Sequence, residues 1–345
     1  MPRPHNKKIY TSWKIPLIIF VCLLGAGICV FTLPTLLTWE ETPAQTPTSA
    51  VQPEQFPISV DPIHKTIKNS PEIEAYFTEK TSALEAAAGD SDNFFVQLFH
   101  TLALSIANAP WYQNLASVSG IPTHSFIVIN PGLRKEQVAL VFARALHWNT
   151  IEQKSFLAPR TDSTPSLSEG SFAPGTYIVD SSADSSTIQS LVQNRFSTDI
   201  LQHYGTTTQA IVPLDQALTI ASLIQRETIG TKDMRLISGI IWNRIFAGMN
   251  LQLDSTLQYA KATKQSTALW WPPVSPRDKY IKSPYNTYLN NGLPPTPIAS
   301  PSVEAVLATL NPIKTDCLFY FHDSQGNFHC SKTYEQHKAL IDKYY

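Results

Sequence analysis

The clearest helical pattern in the chain begins at Leu214. In LDQALTIASLIQRET (214–228) apolar positions recur at the roughly 3.6-residue period of an α-helix, so Ile220, Leu223 and Ile224 share one sector. Glu227 falls in that sector too, which places a carboxylate among apolar neighbours. Pro213 stands where a helix accepts proline at its start, and the helix is expected to end near Gly230. The next pattern, DMRLISGIIWNRIFAG (233–248), turns Leu236, Ile237, Ile240 and Ile241 inward, with Asp233 as N-cap and Gly248 as terminator. Asp254 is positioned to cap a third helix, DSTLQYAKA, and Val303–Leu310 makes a fourth.

Upstream, SFIVINPGLRKEQVALVFARAL (125–146) reads as a short strand, an Asn-Pro-Gly turn and a helix with Val138, Val141, Phe142 and Ala145 on one face. This unit resembles half of a LysM-type module, a small glycan-binding fold. Asn93–Ala107 is a strongly apolar helix stopped by Pro110. RTDSTPSLSEG (160–170) reads as an interdomain linker, and SFAPGTYIVDSS as a turn followed by a strand. Ser186–Phe196 forms a helix, with a polar loop from there to Val212. Trp270–Pro301 is dense in proline and aromatics, a structured loop. LFYFHDSQGNFH, between Cys317 and Cys330, reads as a hairpin turning at Asp323–Gly326. Strands mixed with helices in this order give an α+β class.

One stretch belongs to no globular pattern. Ile15–Leu37 contains no charged residue and is long enough to cross a hydrocarbon core of about 30 Å. Arg3, Lys7, Lys8 and Lys14 precede it, and Glu40 and Glu41 follow. The asymmetry predicts a cytoplasmic tail (1–14), a single transmembrane helix (15–37) and everything beyond it outside the inner membrane. A cleaved signal peptide is the competing reading, but the apolar run exceeds the usual length and no small-x-small site follows it. Residues 38–57, rich in Pro and Thr, read as a tether. The N-terminal region then spans 58–165, with the LysM-like signal clearest at 125–157. A second, C-terminal domain spans 169–345.

Composition narrows the chemistry. Hydrophobic residues make up 43% of the 345, and the net charge is -1, so nucleic acid has no basic footprint to bind. Of the four cysteines, Cys22 and Cys29 fall in the apolar segment, while Cys317 and Cys330 could bridge the hairpin in an oxidising compartment. No Cys-x-x-Cys pair or zinc-type spacing exists, so neither metal nor cofactor is expected.

Five blocks in fixed order carry a family resemblance: ASLIQRET (221–228), NRIFAGMNLQLDSTLQYA (243–260), SPYNTYLNNGLPPTPIASPS (283–302), LNPIKTDCLFYF (310–321) and SKTYEQH (331–337). With EGSFAPGTY (169–177), they resemble the endolytic murein transglycosylase (YceG-like, MltG) family. The resemblance implies an enzyme that cuts peptidoglycan glycan strands outside the inner membrane, in the company of cell-wall synthases. It implies Glu227 as the catalytic residue, with Gln225 standing where the family has another glutamate. It also implies substrate contacts from Gln252, Asp254, Thr256, Tyr285, Asn286 and Tyr288. Asp254 fits a plain helix cap equally well, and the YNTY residues fit packing of the proline-rich loop. Glu227 could instead pair with Arg226 or Arg244. Ser255 departs from the family's usual proline, and Lys338 from its usual asparagine.

The chemical logic is simple. A glycosidic oxygen must be protonated as it leaves, and apolar surroundings favour the protonated carboxyl that does this. A muramidase-type hydrolase would usually need a second carboxylate, for which Asp254 and Glu169 are the candidates. A non-catalytic glycan-binding scaffold is the third class, which an intact Glu227 disfavours. The topology is testable: a reporter active only in the cytoplasm, fused after Tyr345, should stay silent, and strong activity there would refute both the anchor and the peptidoglycan reading.

Overall fold

The computed structural model describes residues 53–68, 70–78, 124–159, 167–264 and 269–344. The tail, the apolar segment 15–37, most of the tether, the Asn93–Ala107 helix and residues 160–166 of the linker lie outside them. Apart from residues 124–126, the described residues belong to one compact unit, 50–85 with 127–345. Among them, no helix is long and apolar enough to cross a membrane.

The architecture is α+β, with small two-stranded sheets and predominantly helical packing. A short ribbon, β1 (Val60–Asp61) with β2 (Thr66–Ile67), opens it, followed by a helical stretch at 71–78. Then come β3 (His124–Ile129), α1 (Lys135–Ala145), α2 (Thr150–Leu157), β4 (Gly175–Asp180) and α3 (Ser185–Asp199). The larger helical part holds α4 (Thr206–Ile211), α5 (Leu214–Glu227), α6 (Met234–Phe246), α7 (Asp254–Lys264) and α8 (Val303–Leu310). A hairpin, β5 (Phe319–His322) with β6 (Phe328–Ser331), and α9 (Tyr334–Tyr344) complete the chain.

Two apolar clusters organise these elements. One surrounds Phe142, whose ring meets those of Trp148, Phe156 and Tyr177. It takes Ile127 and Ile129 from β3, Val138 from α1, Tyr177 and Val179 from β4, and Ile188 and Val192 from α3. β3 pairs with β4, so the pieces on either side of the expected linker contribute to one sheet and one core. Asn149 caps α2 through its side chain, which accepts from the N–H groups of Ile151 and Glu152.

The other cluster is built on α5, which is buried continuously from Ala217 to Ile224. α8 and α6 pack against it, and the Trp242 indole donates to the Thr309 carbonyl. Gly239 on α6 has a steric reason: a Cβ there would sit 2.2 Å from the Ile313 carbonyl oxygen, so the chain leaving α8 can pass only over a glycine. Gly248 ends α6 with φ +64°, the left-handed conformation that suits the residue after a helix.

Several expectations need correction. The polar loop before Val212 contains a short 3-10 turn (Leu201–His203) and α4. TTTQAI has no apolar period to announce a helix, yet Thr208 is buried and the Tyr204 hydroxyl donates to the Val212 carbonyl. α5 stops at Glu227 rather than near Gly230, because Thr228 is already extended. Asp233 precedes α6 without capping it, since its carboxylate pairs with Nε2 of His322 at 2.5 Å. Leu236 is only half-buried. Asp254 lies within the first turn of α7 and accepts from the Tyr288 hydroxyl. The helix α9 has no fully buried residue and gave no strong apolar signal. The tether's last residues are docked, with Phe56 buried and stacked on His203.

The hairpin forms with the expected turn, and Cys317 is bonded to Cys330 across a Cα–Cα distance of 5.8 Å. The two are not cross-strand partners: Cys330 lies opposite Tyr320, and Cys317 precedes the strand. By the chain-entropy argument, closing so short a loop contributes about 3 kcal/mol at most. Titration of the denatured, unreduced full chain should find two free thiols rather than four, and mild reduction should lower the melting temperature.

Candidate active site

The site is assembled from three elements distant in sequence. Glu227, at the C-terminal end of α5, supplies a carboxylate. The first turn of α7 supplies two donors to one of its oxygens: Ser255 N–H at 3.2 Å and Ser255 Oγ at 2.6 Å, both to Oε1. The Tyr320 hydroxyl, on β5, donates to Oε2 at 2.9 Å. The N–H of Ser255 is one of the first-turn groups with no intrahelical partner, so the carboxylate also serves the N-terminal end of α7. The surroundings are therefore less uniformly apolar than the helical sector of Glu227 suggests. Ile220, Leu223 and Ile224 are fully buried beneath it, while its oxygens meet polar groups.

The alternative ion pairs do not form. Among the described residues, Arg226 and Arg244 make no salt bridge with Glu227. Arg226 lies over the Trp271 ring at 3.9 Å. Arg244 is buried beneath the groove and donates from Nε to the Leu318 carbonyl at 2.7 Å and from Nη1 to that of Leu251. Burial lowers its pKa, while Tyr320, Tyr288 and Glu227 act the other way. Burial first, then the Glu227 carboxylate, push the Tyr320 phenol well above its ordinary value, so it stays a neutral donor.

Glu227 opens onto a groove of about 720 Å³. Gln252, Asp254 and Tyr288 line it, together with Arg244, Lys279, Phe319, Tyr320, His322, Tyr334 and His337. Gln252 holds a left-handed φ of +49°, fixed by its N–H to the Thr287 carbonyl at 3.1 Å. The Tyr288 hydroxyl donates to Asp254 Oδ1 at 2.7 Å. The other residues singled out in the sequence sit behind this wall. Thr256 is fully buried and bonds Leu253 O and Thr287 Oγ1. Asn286 is fully buried and donates to the carbonyls of Lys279 and Ile281. Tyr285 bonds Thr296 through its hydroxyl and packs against the Tyr259 ring.

Sequence reasoning missed Tyr320, Arg244 and His337 as parts of the groove, and Ser255 as a donor to Glu227. Tyr320 and His337 lie in blocks that carry the resemblance, but no period or spacing ties them to Glu227. Burial, and then Arg244, lower the pKa of His337. Among the described residues, no group of three or more His, Cys, Asp or Glu side chains could hold a metal ion.

Comparisons with known proteins bear on the family of the chain. The model of the YceG-like family matches residues 96–343. The chain belongs to the YceG-like family. It is 33% identical over 177 residues to an endolytic murein transglycosylase of Streptococcus pneumoniae serotype 2, covering 50% of this chain and 31% of that protein. It is 37% identical over 133 residues to an endolytic murein transglycosylase of Bacillus subtilis, covering 39% of this chain and 35% of the relative. The chain thus spans about a third of the length of the curated relatives it matches. A crystal structure of a yceG-like protein from Listeria monocytogenes aligns with a TM-score of 0.52 and 25% identity, over 62% of this chain and 75% of that one.

In this YceG-like chain the other candidate acid, Glu169, lies away from the groove. Its Oε1 accepts the N–H of Lys135 at 3.0 Å, at the start of α1, and its Oε2 has no partner among the described residues. Burial, then the nearby Glu136, raise its pKa from 4.5 to about 8. The unfolded chain ionises this group first as pH rises. Its contribution to stability is therefore fully present below about pH 4.5 and is lost as pH climbs to about 8. The loss is on the order of 5 kcal/mol. Glu169→Gln should flatten this part of the pH dependence. Denaturant unfolding at about pH 5 and about pH 9 should show a smaller drop for the variant than for the wild type, and equal drops would refute the assignment.

Proposed function

We propose that this chain is an endolytic lytic transglycosylase, with Glu227 as its acid and base. It cuts peptidoglycan strands between N-acetylmuramic acid and N-acetylglucosamine, leaves 1,6-anhydro-muramic ends, and helps to terminate nascent strands beside cell-wall synthases. The observation that carries the reading is the Glu227 carboxylate, held by donors from α7 and β5 at the wall of an open groove. The relatives' name, endolytic murein transglycosylase, supports the substrate class.

A transglycosylase needs no external nucleophile, because the muramic residue's own 6-hydroxyl attacks the anomeric carbon. One carboxyl serves twice: Glu227 gives its proton to the leaving glycosidic oxygen, then as carboxylate removes the proton from the attacking hydroxyl. The sugar's N-acetyl group can stabilise the developing oxocarbenium charge. Gln252, Asp254 and Tyr288 face the sugar, while Thr256, Tyr285 and Asn286 brace the loop behind them. The strand–helix–helix–strand order of β3, α1, α2 and β4 around Phe142 supports a LysM-like glycan-binding unit. The charge asymmetry around 15–37 supports a single-pass anchor, with the tether and catalytic part 169–345 outside the inner membrane.

A muramidase-type hydrolase is the second reading, favoured only by Asp254, a second carboxylate in the same groove. Product chemistry separates them. Purified full chain incubated with peptidoglycan should yield anhydro-muramic ends by mass analysis. Glu227→Gln should lower their formation by ~10²–10⁴-fold or more while leaving the fold intact. Reducing muramic ends would establish the hydrolase instead, and near-normal cleavage by the variant would reject Glu227.

A further inference from the structure

We infer that Ser255 is a positioning residue that decides which oxygen of Glu227 carries the transferable proton. The inference rests on the reading of Glu227 as acid and base. A carboxylate oxygen has two in-plane lone-pair directions. On Oε1 both are taken, by Ser255 N–H and Ser255 Oγ. On Oε2 one is taken, by the Tyr320 hydroxyl. The direction left over belongs to Oε2, so the proton that leaves toward the glycosidic oxygen, and later returns, does so there.

The arrangement is specific to Ser255 for three reasons. Its N–H lies in the first turn of α7, where no intrahelical acceptor exists, and a backbone N–H cannot rotate to become an acceptor. Its side chain is nearly enclosed, at 3% exposure, so water does not compete for the hydroxyl. The hydroxyl of the following residue, Thr256, is committed to the Leu253 carbonyl and to Thr287, which leaves Ser255 alone to hold Oε1 from this turn.

The test uses the full chain with soluble glycan strands. Ser255→Ala removes the hydroxyl but keeps the N–H. Ser255→Pro removes both, at a first-turn position that tolerates proline. For Ser255→Ala we expect kcat to fall roughly tenfold, the order expected for one lost bond to a charged group, with KM within about twofold. The alkaline limb of the pH–rate profile should move to higher pH, because the ionised carboxyl has lost a donor. Ser255→Pro should move the limb further, and if it does not fold, Ser255→Ala decides alone. Unchanged kcat and limb in a folded Ser255→Ala, with Glu227→Gln inactive, would overturn the inference and leave the proposed function standing. A loss seen in KM or stability with no movement of the limb would assign Ser255 a purely structural role, which also overturns it. An active Glu227→Gln would overturn the proposed function and this inference together.

Discussion

The arrangement of the groove turns on where α5 stops. Glu227 is its last helical residue, and Thr228 leaves in extended conformation. One more turn would carry the chain onward where it now bends away. One turn fewer would leave the carboxylate short of the first turn of α7. At this end point, a side chain can lie in the buried sector of the helix and still reach two other elements. The hydrogen bonds to Ser255 and Tyr320 bring together residues 28 and 93 positions away along the chain.

That position demands a rigid base. The buried face of α5 supplies it, since Ala217 to Ile224 are enclosed without interruption, and full burial of a large aliphatic side chain is worth roughly 1.5–3 kcal/mol. The proline-rich loop is tied to the same helix: Ile298 N–H donates to Ser222 Oγ, and Ser302 N–H to Gln225 Oε1. Arg226 and Arg134 stack on Trp271 and Tyr259, so cations flanking the site are engaged with rings rather than with Glu227. On the other side, Arg244 holds the Leu318 carbonyl at the entry to β5, two residues before Tyr320. The disulfide at Cys330, opposite Tyr320 in the register, limits how far that hairpin can shift.

What could be read from the sequence follows from which interactions are periodic. The apolar sector of α5, the inward face of α6 and the turn at Asp323–Gly326 are local patterns, and each recurs in the structure. Glu227 follows that sector only in part: it is half-buried and opens onto the groove. The donors to Glu227 are not local. Nothing about LQLDST says that Ser255 points at residue 227, and nothing about LFYF singles out Tyr320 among three aromatics. Asp233 shows the opposite failure. Its position before an apolar period suits a cap, but a tertiary partner, His322, takes its carboxylate. α4 and α9 lack a strong apolar stripe, because their stability comes from what they lie against: Tyr334 and His337 of α9 pack on Phe319.

Asp254 shows how one groove can hold two carboxylates and still favour a single-acid mechanism. A hydrolytic partner for Glu227 would have to present a free carboxylate to a water or to the anomeric carbon. Asp254 instead accepts the Tyr288 hydroxyl at 2.7 Å, and the tyrosine's pKa is raised by burial and by that carboxylate, so the phenol remains protonated and the bond persists. Lys279 lies over the Tyr288 ring at 5.1 Å, which adds a cation to the same wall. Asp254 thereby fixes an aromatic side chain of the groove through Oδ1, while Glu227 is the groove carboxylate held by two separate elements, α7 and β5. That division of labour suits a reaction whose nucleophile is the substrate's own hydroxyl.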